Sequence, residues 1–149
     1  MKEHWLTDYL GHIQIAAFDA CSFVEGINQE DFRSDKRTQA AVVMNLIVIG
    51  EAATKVMDKF PEFASAHGGI SWRSLRGMRN RLAHGYFDIN LEVVWDTVQT
   101  AVPALLLQIP VGQVKFLHLW PGKILQAGQV DYQSSVLSRA RRAAASLSL

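Results

Sequence analysis

The stretch from Ser71 to Asn90, SWRSLRGMRNRLAHGYFDIN, contains the side chains best suited to chemistry. No acidic residue occurs between Glu62 and Asp88, although the rest of the first 110 residues is acidic. Guanidinium groups keep their charge and bind phosphate in a bidentate way, so the stretch predicts a site for an anionic ligand. The other interpretation is a solvated helix face whose arginines pair with acids of other helices. The basic side chains are Arg73, Arg76, Arg79, Arg81 and His84.

His84 is the acid–base group of this stretch that suits neutral pH. An imidazole can take the proton of a ribose 2′-hydroxyl, whose oxygen then attacks the adjacent phosphorus. A fixed guanidinium can hold the phosphate and stabilise the charge that develops on it. Because DNA lacks this hydroxyl, the reaction is confined to RNA. The residues therefore predict RNA cleavage without a metal or a cofactor.

The spacing of these residues limits how they can meet. Arg73, Arg76, Asn80 and His84 follow one another at three or four residues, so they share one helical face. Arg79 and His84 are five apart, which is about 140° around a helix. They do not converge on one straight helix. Either the helix ends before His84, as Gly85 permits, or two copies of the motif meet across a dimer axis.

Other chemistries lack support in the sequence. The single cysteine, Cys21, stands in an apolar segment and is predicted to be a buried structural thiol. No phosphate-binding loop, dinucleotide fingerprint, zinc-protease motif or nucleophile elbow occurs. No signal peptide is evident, and the longest apolar stretch, 40–49, is too short to span a membrane. We expect a cytoplasmic protein with no membrane partner.

The apolar periodicity predicts four helices that would position these residues. The expected ranges are about 2–24, 34–60, 71–83 and 91–109. Residues 28–35 resemble a polar loop, with Ser34 as a cap; Pro61 should end the second helix, and Pro103 should kink the fourth. Short connections between four helices predict an all-α, antiparallel bundle.

The second predicted helix is apolar over an unusual share of its surface. It should therefore be packed on more than one side, in a bundle core, at a dimer face, or both. Within it, Asn45 and Glu51 are candidate buried hydrogen-bonding groups, and Gly50 would allow a close helix contact.

The charge divides the chain in two. Residues 1–110 contain ten Lys and Arg against thirteen Asp and Glu, a net −3, whereas residues 111–149 contain five against one, a net +4. We therefore separate a helical domain, 1–110, from a basic C-terminal extension, 111–149. The extension contains a strand-like run at Val114–Trp120 and a possible amphipathic helix at 134–147. It is either a loosely ordered addition or an arm that contacts RNA or a partner.

Residues 79–86 form a motif that resembles the signature of a known protein family. Arg79-Asn80-Arg81-Leu82-Ala83-His84 resembles the R-x4-6-H signature of HEPN domains, and His84-Gly85-Tyr86 extends it to the R-x4-H-x-Y form of HepT-like toxins. The resemblance covers about residues 3–110. Further segments that match in order are Arg37-Thr38-Gln39, Ala41-Val42, Asn45-Leu46, Ile49-Gly50-Glu51-Ala52-Ala53, Trp72-Arg73, Gly77-Met78-Arg79-Asn80, Leu91 and Val94-Trp95.

The resemblance implies a dimeric HEPN bundle with the two motifs facing each other. It implies a metal-independent endoribonuclease, the toxin of a toxin–antitoxin pair, with Arg79 and His84 catalytic and Asn80 orienting the site. Its partner would be an MNT-type nucleotidyltransferase antitoxin that transfers AMP to Tyr86. The toxin itself would be a homodimer, or part of a larger complex with the antitoxin. Arg73, Arg76 and Arg81 would bind the RNA.

Two other functions remain compatible with the sequence. A HEPN module could bind nucleotide or RNA, or dock to a nucleotidyltransferase, without cleaving anything. A structural helical dimer could carry the motif incidentally.

Overall fold

The expected all-α architecture is confirmed. A computed structural model describes residues 2–109 of the chain, apart from the side chains of Lys2, Glu3 and Tyr86. Within that range the chain is helical and contains no strand. The α-helices are α1 (Lys2–Phe23), α2 (Gln29–Ser34), α3 (Lys36–Lys59), α4 (Pro61–Ala66), α5 (Trp72–His84), α6 (Leu91–Asp96) and α7 (Val102–Gln108). The run Val114–Trp120 and the segment 134–147 lie outside the described residues.

The longest helix, α3, lies between α1 and α5 and packs against both. It runs antiparallel to α1, because Lys59 near its end donates from Nζ to the hydroxyl of Tyr9 near the start of α1, at 3.1 Å. By length and composition α3 could cross a membrane. Its Val42, Ile49 and Val56 side chains are nevertheless fully buried in the bundle, which is the pattern of a core helix in a globular protein.

The region expected to be a loop, 28–35, contains α2, so that expectation was wrong. The side chain of Asn28 accepts from the backbone N–H of Asp31 at 2.9 Å, and the Asp31 carboxylate accepts from the N–H of Asn28 at 3.1 Å. This reciprocal capping box starts a helix of six residues. Phe32 is its one buried side chain, and its ring centroid lies 5.4 Å from that of Trp95. Because only one of its six residues is buried, α2 shows no repeating pattern of apolar residues in the sequence.

The cap of α3 is Asp35 rather than Ser34. Asp35 Oδ1 accepts from the N–H groups of Arg37 and Thr38 at 3.0 and 3.1 Å, while the Ser34 hydroxyl donates to the carbonyl of Glu30. The Thr38 hydroxyl donates to Asp35 Oδ2 at 2.6 Å, and this hydrogen bond chiefly holds the pKa of Asp35 below its usual value. The cap therefore stabilises the fold above the ordinary carboxyl pKa, and this contribution is lost as the pH falls through the lowered value.

Pro61 and Pro103 each lie in the first turn of a helix. Pro61 follows the end of α3 as expected, but it also occupies the first turn of α4, where its missing N–H costs nothing. The fourth predicted helix is interrupted by a π-helical turn, Thr97–Ala101. The N–H of Val102 bonds to the carbonyl of Thr97, one residue further back than in an α-helix. This shift directly precedes Pro103, which has no N–H to donate.

Candidate active site

Helix α5 includes His84, and Gly85 caps it by donating its N–H to the carbonyl of Arg81 at 2.9 Å. The option that the helix ends before His84 is therefore wrong. Because α5 continues through the motif, Arg79 and His84 point about 140° apart around its axis. The other arrangement considered from the sequence, in which two copies of the motif meet across a dimer axis, stays a prediction.

Arg79 lies at the crossing of α5 and α3, with its side chain 23% exposed. Its Nη1 is 3.4 Å from Glu51 Oε2, and its Nη2 donates to the hydroxyl of Thr54 at 3.3 Å. Thr54 in turn donates to the carbonyl of Gly50 at 2.8 Å, so its oxygen lone pair is directed at the guanidinium. Two side chains of α3 thus orient Arg79.

The expected close approach at Gly50 is confirmed. A Cβ atom there would lie 2.3 Å from Arg79 Cβ and 2.6 Å from the carbonyl oxygen of Leu75. Glycine therefore lets α5 pack on the backbone of α3 at the point where Arg79 is held. The same backbone contact makes the position of Arg79 depend on α3.

Asn45 and Glu51, the two polar residues of α3 that were predicted to be buried, differ in their exposure to solvent. Asn45 is partly buried, and its amide donates to the carbonyl of Ala41 at 2.9 Å within its own helix. The side chain of Glu51 is 49% exposed, so the expectation of a buried carboxylate was wrong. Glu51 lies on the turn of α3 that faces solvent beside α5, where it pairs with Lys55 as well as Arg79.

The four arginines of α5 fall into two pairs. Arg79 pairs with Glu51 of α3, and Arg76 pairs with Asp58 of α3. These two arginines follow the second interpretation of the sequence, a helix face whose arginines pair with acids of other helices. Arg73 and Arg81 are exposed, and neither forms an ion pair with an acidic side chain that the structure describes in residues 4–109. Two guanidiniums are thus anchored on the bundle and two are available at the surface.

Asn80 and His84 are exposed on the side of α5 that also carries Arg73. Directly after the cap, a 3₁₀ turn begins at Tyr86 and ends at Asp88. The motif tyrosine therefore follows the end of α5 by two residues. In the described part of the chain, no three His, Cys, Asp or Glu side chains cluster as a metal site would require. Cys21 is buried, as expected.

Sequence reasoning missed Thr54 and Asp58 as partners of the arginines. Thr54 is one polar residue in an apolar helix and lies 25 positions from Arg79. No local spacing connects the two residues, so only the packing of α5 on α3 identifies the contact.

Comparison with known proteins gives a family profile that covers the motif. The profile of the family described as "Ribonuclease HepT-like" matches residues 13–111. The probable ribonuclease HepT of Thermococcus cleftensis is 39% identical over 98 residues, which cover 66% of this chain and 86% of the relative. A candidate RNase of Caldanaerobacter subterraneus is 35% identical over 105 residues, covering 68% of this chain and 88% of the relative.

A candidate RNase of Methanocaldococcus jannaschii is 35% identical over 85 residues, covering 57% of this chain and 68% of that protein. No solved structure gave a match. The residues matched by the family profile include the whole of α3 and α5, and they stop two residues after Ile109.

Proposed function

This chain belongs to the ribonuclease HepT-like family, and on that premise we propose that it is a metal-independent endoribonuclease, the cytoplasmic toxin of a toxin–antitoxin pair. The observation that carries the proposal is the end of α5. There an anchored Arg79 is followed by exposed Asn80 and His84 on a helix without carboxylates. The names of the relatives, which describe ribonucleases, support the same activity.

In the proposed reaction, the imidazole of His84 takes the proton of a ribose 2′-hydroxyl. The 2′-oxygen forms a bond to the adjacent phosphorus, and the bond from phosphorus to the 5′-oxygen breaks. The leaving oxygen takes a proton from the imidazolium or from water, so the products are a 2′,3′-cyclic phosphate and a 5′-hydroxyl. Arg79 stabilises the charge on the phosphoryl oxygens, and Asn80 orients the substrate. Arg73, Arg76 and Arg81 would contact neighbouring phosphates.

A homodimer is part of the proposal, because the two catalytic groups diverge around α5. Met44 supports it: its side chain is 60% exposed, and it precedes Glu51 by seven residues, two turns along the same face of α3. A large apolar side chain is thus exposed on the face that anchors Arg79. A second copy seated there would cover Met44 and bring its own motif to the site.

The ion pair with Glu51 is compatible with phosphate binding. Its contact is long, at 3.4 Å, and the carboxylate is half exposed. Exposed pairs of this kind contribute only about 0–1 kcal/mol, so a phosphate can compete for the guanidinium. Glu51 and Thr54 are therefore positioning residues, which limit the directions that Arg79 can take.

Replacing Glu51 by glutamine should lower kcat by about 10-fold, because a misdirected guanidinium stabilises the transition state less well. KM should not rise, since removal of a negative charge does not weaken the attraction of RNA. Initial rates of RNA cleavage by the full chain in EDTA measure both constants. Asp58→Asn, which removes the partner of Arg76, is the matched control. An unchanged kcat in Glu51→Gln would contradict the positioning role.

Neutralisation of the toxin is proposed to occur at Tyr86, through transfer of AMP by an MNT-type nucleotidyltransferase antitoxin. The position supports this, because Tyr86 begins the turn that follows the end of α5. The adduct would add negative charge beside His84 and repel RNA, as phosphorylation does at a phosphate-binding surface. The complex with the antitoxin could contain more than two chains.

Incubation with such a partner and ATP should raise the intact mass by one or more AMP residues and abolish cleavage. Tyr86→Phe should block the increase in mass. Tyr9→Phe should still show the increase, since the Tyr9 hydroxyl lies on α1, where it accepts a hydrogen bond from Lys59. Modification mapped by tandem mass spectrometry to any other residue would contradict the assignment.

A second candidate is a binding module that does not cleave. The pairing of Arg76 and Arg79 with acids of α3 favours it, because paired arginines can serve the fold or ligand binding alone. This function predicts RNA or nucleotide binding that is lost in Arg79→Ala, with no products from the wild-type chain at any concentration.

A further inference from the structure

An apolar groove separates α5 from the α6–α7 segment of the bundle. Its volume is about 590 Å³, within the range of roughly 300–1,000 Å³ that is typical of binding sites. Met78 and Arg81 of α5 line it, whereas Asn80 and His84 do not, so it differs from the proposed catalytic face. The apolar lining includes Leu46, Leu75, Leu82, Ile89, Val93 and Leu105.

The groove is open at Val93, whose side chain is 56% exposed. When another apolar group covers an exposed branched apolar side chain next to an apolar groove, apolar surface is removed from water and the free energy falls. Acidic and basic side chains contribute little to the lining, with Asp88 and Arg81 on its walls. The groove therefore suits an apolar peptide segment rather than an anionic ligand.

The described part of the chain ends beside this groove. Gln108 lines the groove, and its Nε2 donates to the carbonyl of Gly69 at 2.9 Å, which holds the end of α7 in place. Ile109, the last described residue, is buried. The sequence that follows contains one dense apolar segment, from Val114 to Trp120, in which five of the seven residues are apolar (VKFLHLW).

The length of this segment matches the groove. Along the α6–α7 wall, the groove extends from Asn90 to Gln108, about 27 Å at 1.5 Å per helical residue. Residues 110–120 can span up to about 36 Å when extended. The segment can therefore turn back at Gln108 and reach the far end. Because it is tethered a few residues away, its effective concentration at the groove is on the order of millimolar.

We propose that the Val114–Trp120 segment of the same chain docks in the groove between α5 and α6–α7. Docking would bury apolar side chains of the segment against Val93, Met78 and Leu75. The segment lies beyond the residues that the family profile matches, 13–111, so this is a feature of this chain rather than of the shared domain. It does not depend on the proposed ribonuclease activity.

Hydrogen exchange of the full-length chain, followed by mass spectrometry, tests the proposal. The amides of Val114–Trp120 should exchange at least roughly 10-fold more slowly than those of an unstructured peptide. Val93→Asp, which places a charge in the groove at an exposed position, should remove this protection. Phe23→Asp, a change at another exposed apolar position at the end of α1, should leave it unchanged. Trp120→Asp, which changes the segment instead of the groove, should act like Val93→Asp.

Three outcomes would overturn the inference. Unprotected amides in the wild-type chain would show that the segment does not dock. Protection that persists in both Val93→Asp and Trp120→Asp would place it elsewhere. Protection that disappears on dilution would identify a second copy as the occupant instead of the chain's own segment. None of these measurements uses RNA cleavage. A result that contradicts docking is therefore distinct from a result that contradicts the proposed ribonuclease function.

Discussion

The His84→Ala chain should bind RNA but fail to cut it, with kcat reduced by about 10²–10⁴-fold in EDTA. The loss follows from removing the imidazole that takes the proton of the 2′-hydroxyl in the proposed reaction. The fold should persist, because His84 is exposed at the last turn of α5. Circular dichroism and filter binding would verify that only the chemical step has changed.

His12→Ala is the matched control, since His12 is an exposed histidine on α1. It should cleave RNA at the wild-type rate. Cleavage that survives in His84→Ala would remove His84 from the mechanism, whatever else the family performs.

The same substitution tests whether two copies build one site. If Arg79 of one copy acts with His84 of another, a mixture of Arg79→Ala and His84→Ala chains contains mixed dimers with one intact site. Subunit exchange should then restore about a quarter of the wild-type activity, because half of the dimers are mixed and each has one site of two. A mixture as inactive as its components would contradict the shared site.

Gly50→Ala should be strongly destabilising, although it adds a single methyl group. The new Cβ would lie 2.3 Å from Arg79 Cβ and 2.6 Å from the carbonyl oxygen of Leu75, so α5 would have to move off α3. Such overpacking costs about 1–3 kcal/mol of the free energy of unfolding. Urea denaturation should show a lower midpoint, and cleavage should fall because the displaced α5 carries Arg79 away from Thr54.

Gly77→Ala provides the control within α5 itself. The nearest heavy atom to its added Cβ would be Arg81 Nη1, at 3.9 Å. Alanine is favoured over glycine inside a helix by about 1 kcal/mol, so this variant should be as stable as the wild-type chain or slightly more so. If Gly50→Ala proved equally stable, the close contact between α3 and α5 would be contradicted.

The sequence predicted the elements whose periodicity is long enough to read. Helices α1, α3 and α5 begin and end within two residues of the expected positions. The prediction failed for α2, which has one buried residue, and for the π-helical turn before Pro103. In these places a cap or a missing backbone donor decides the structure, and neither leaves a repeating pattern of apolar residues.

The sequence by itself determined which groups are offered for chemistry at the end of α5. Residue type and spacing single out Arg79 and His84, because charge and helical angle are local properties. The resemblance to HepT-like sequences adds Asn80 and Tyr86. Only the tertiary structure decided that Glu51 and Thr54 hold Arg79, that Arg76 is paired with Asp58, and that an apolar groove lies beside Val93. Those facts depend on how α3, α5 and α6 pack, and packing joins residues that no spacing along the chain relates.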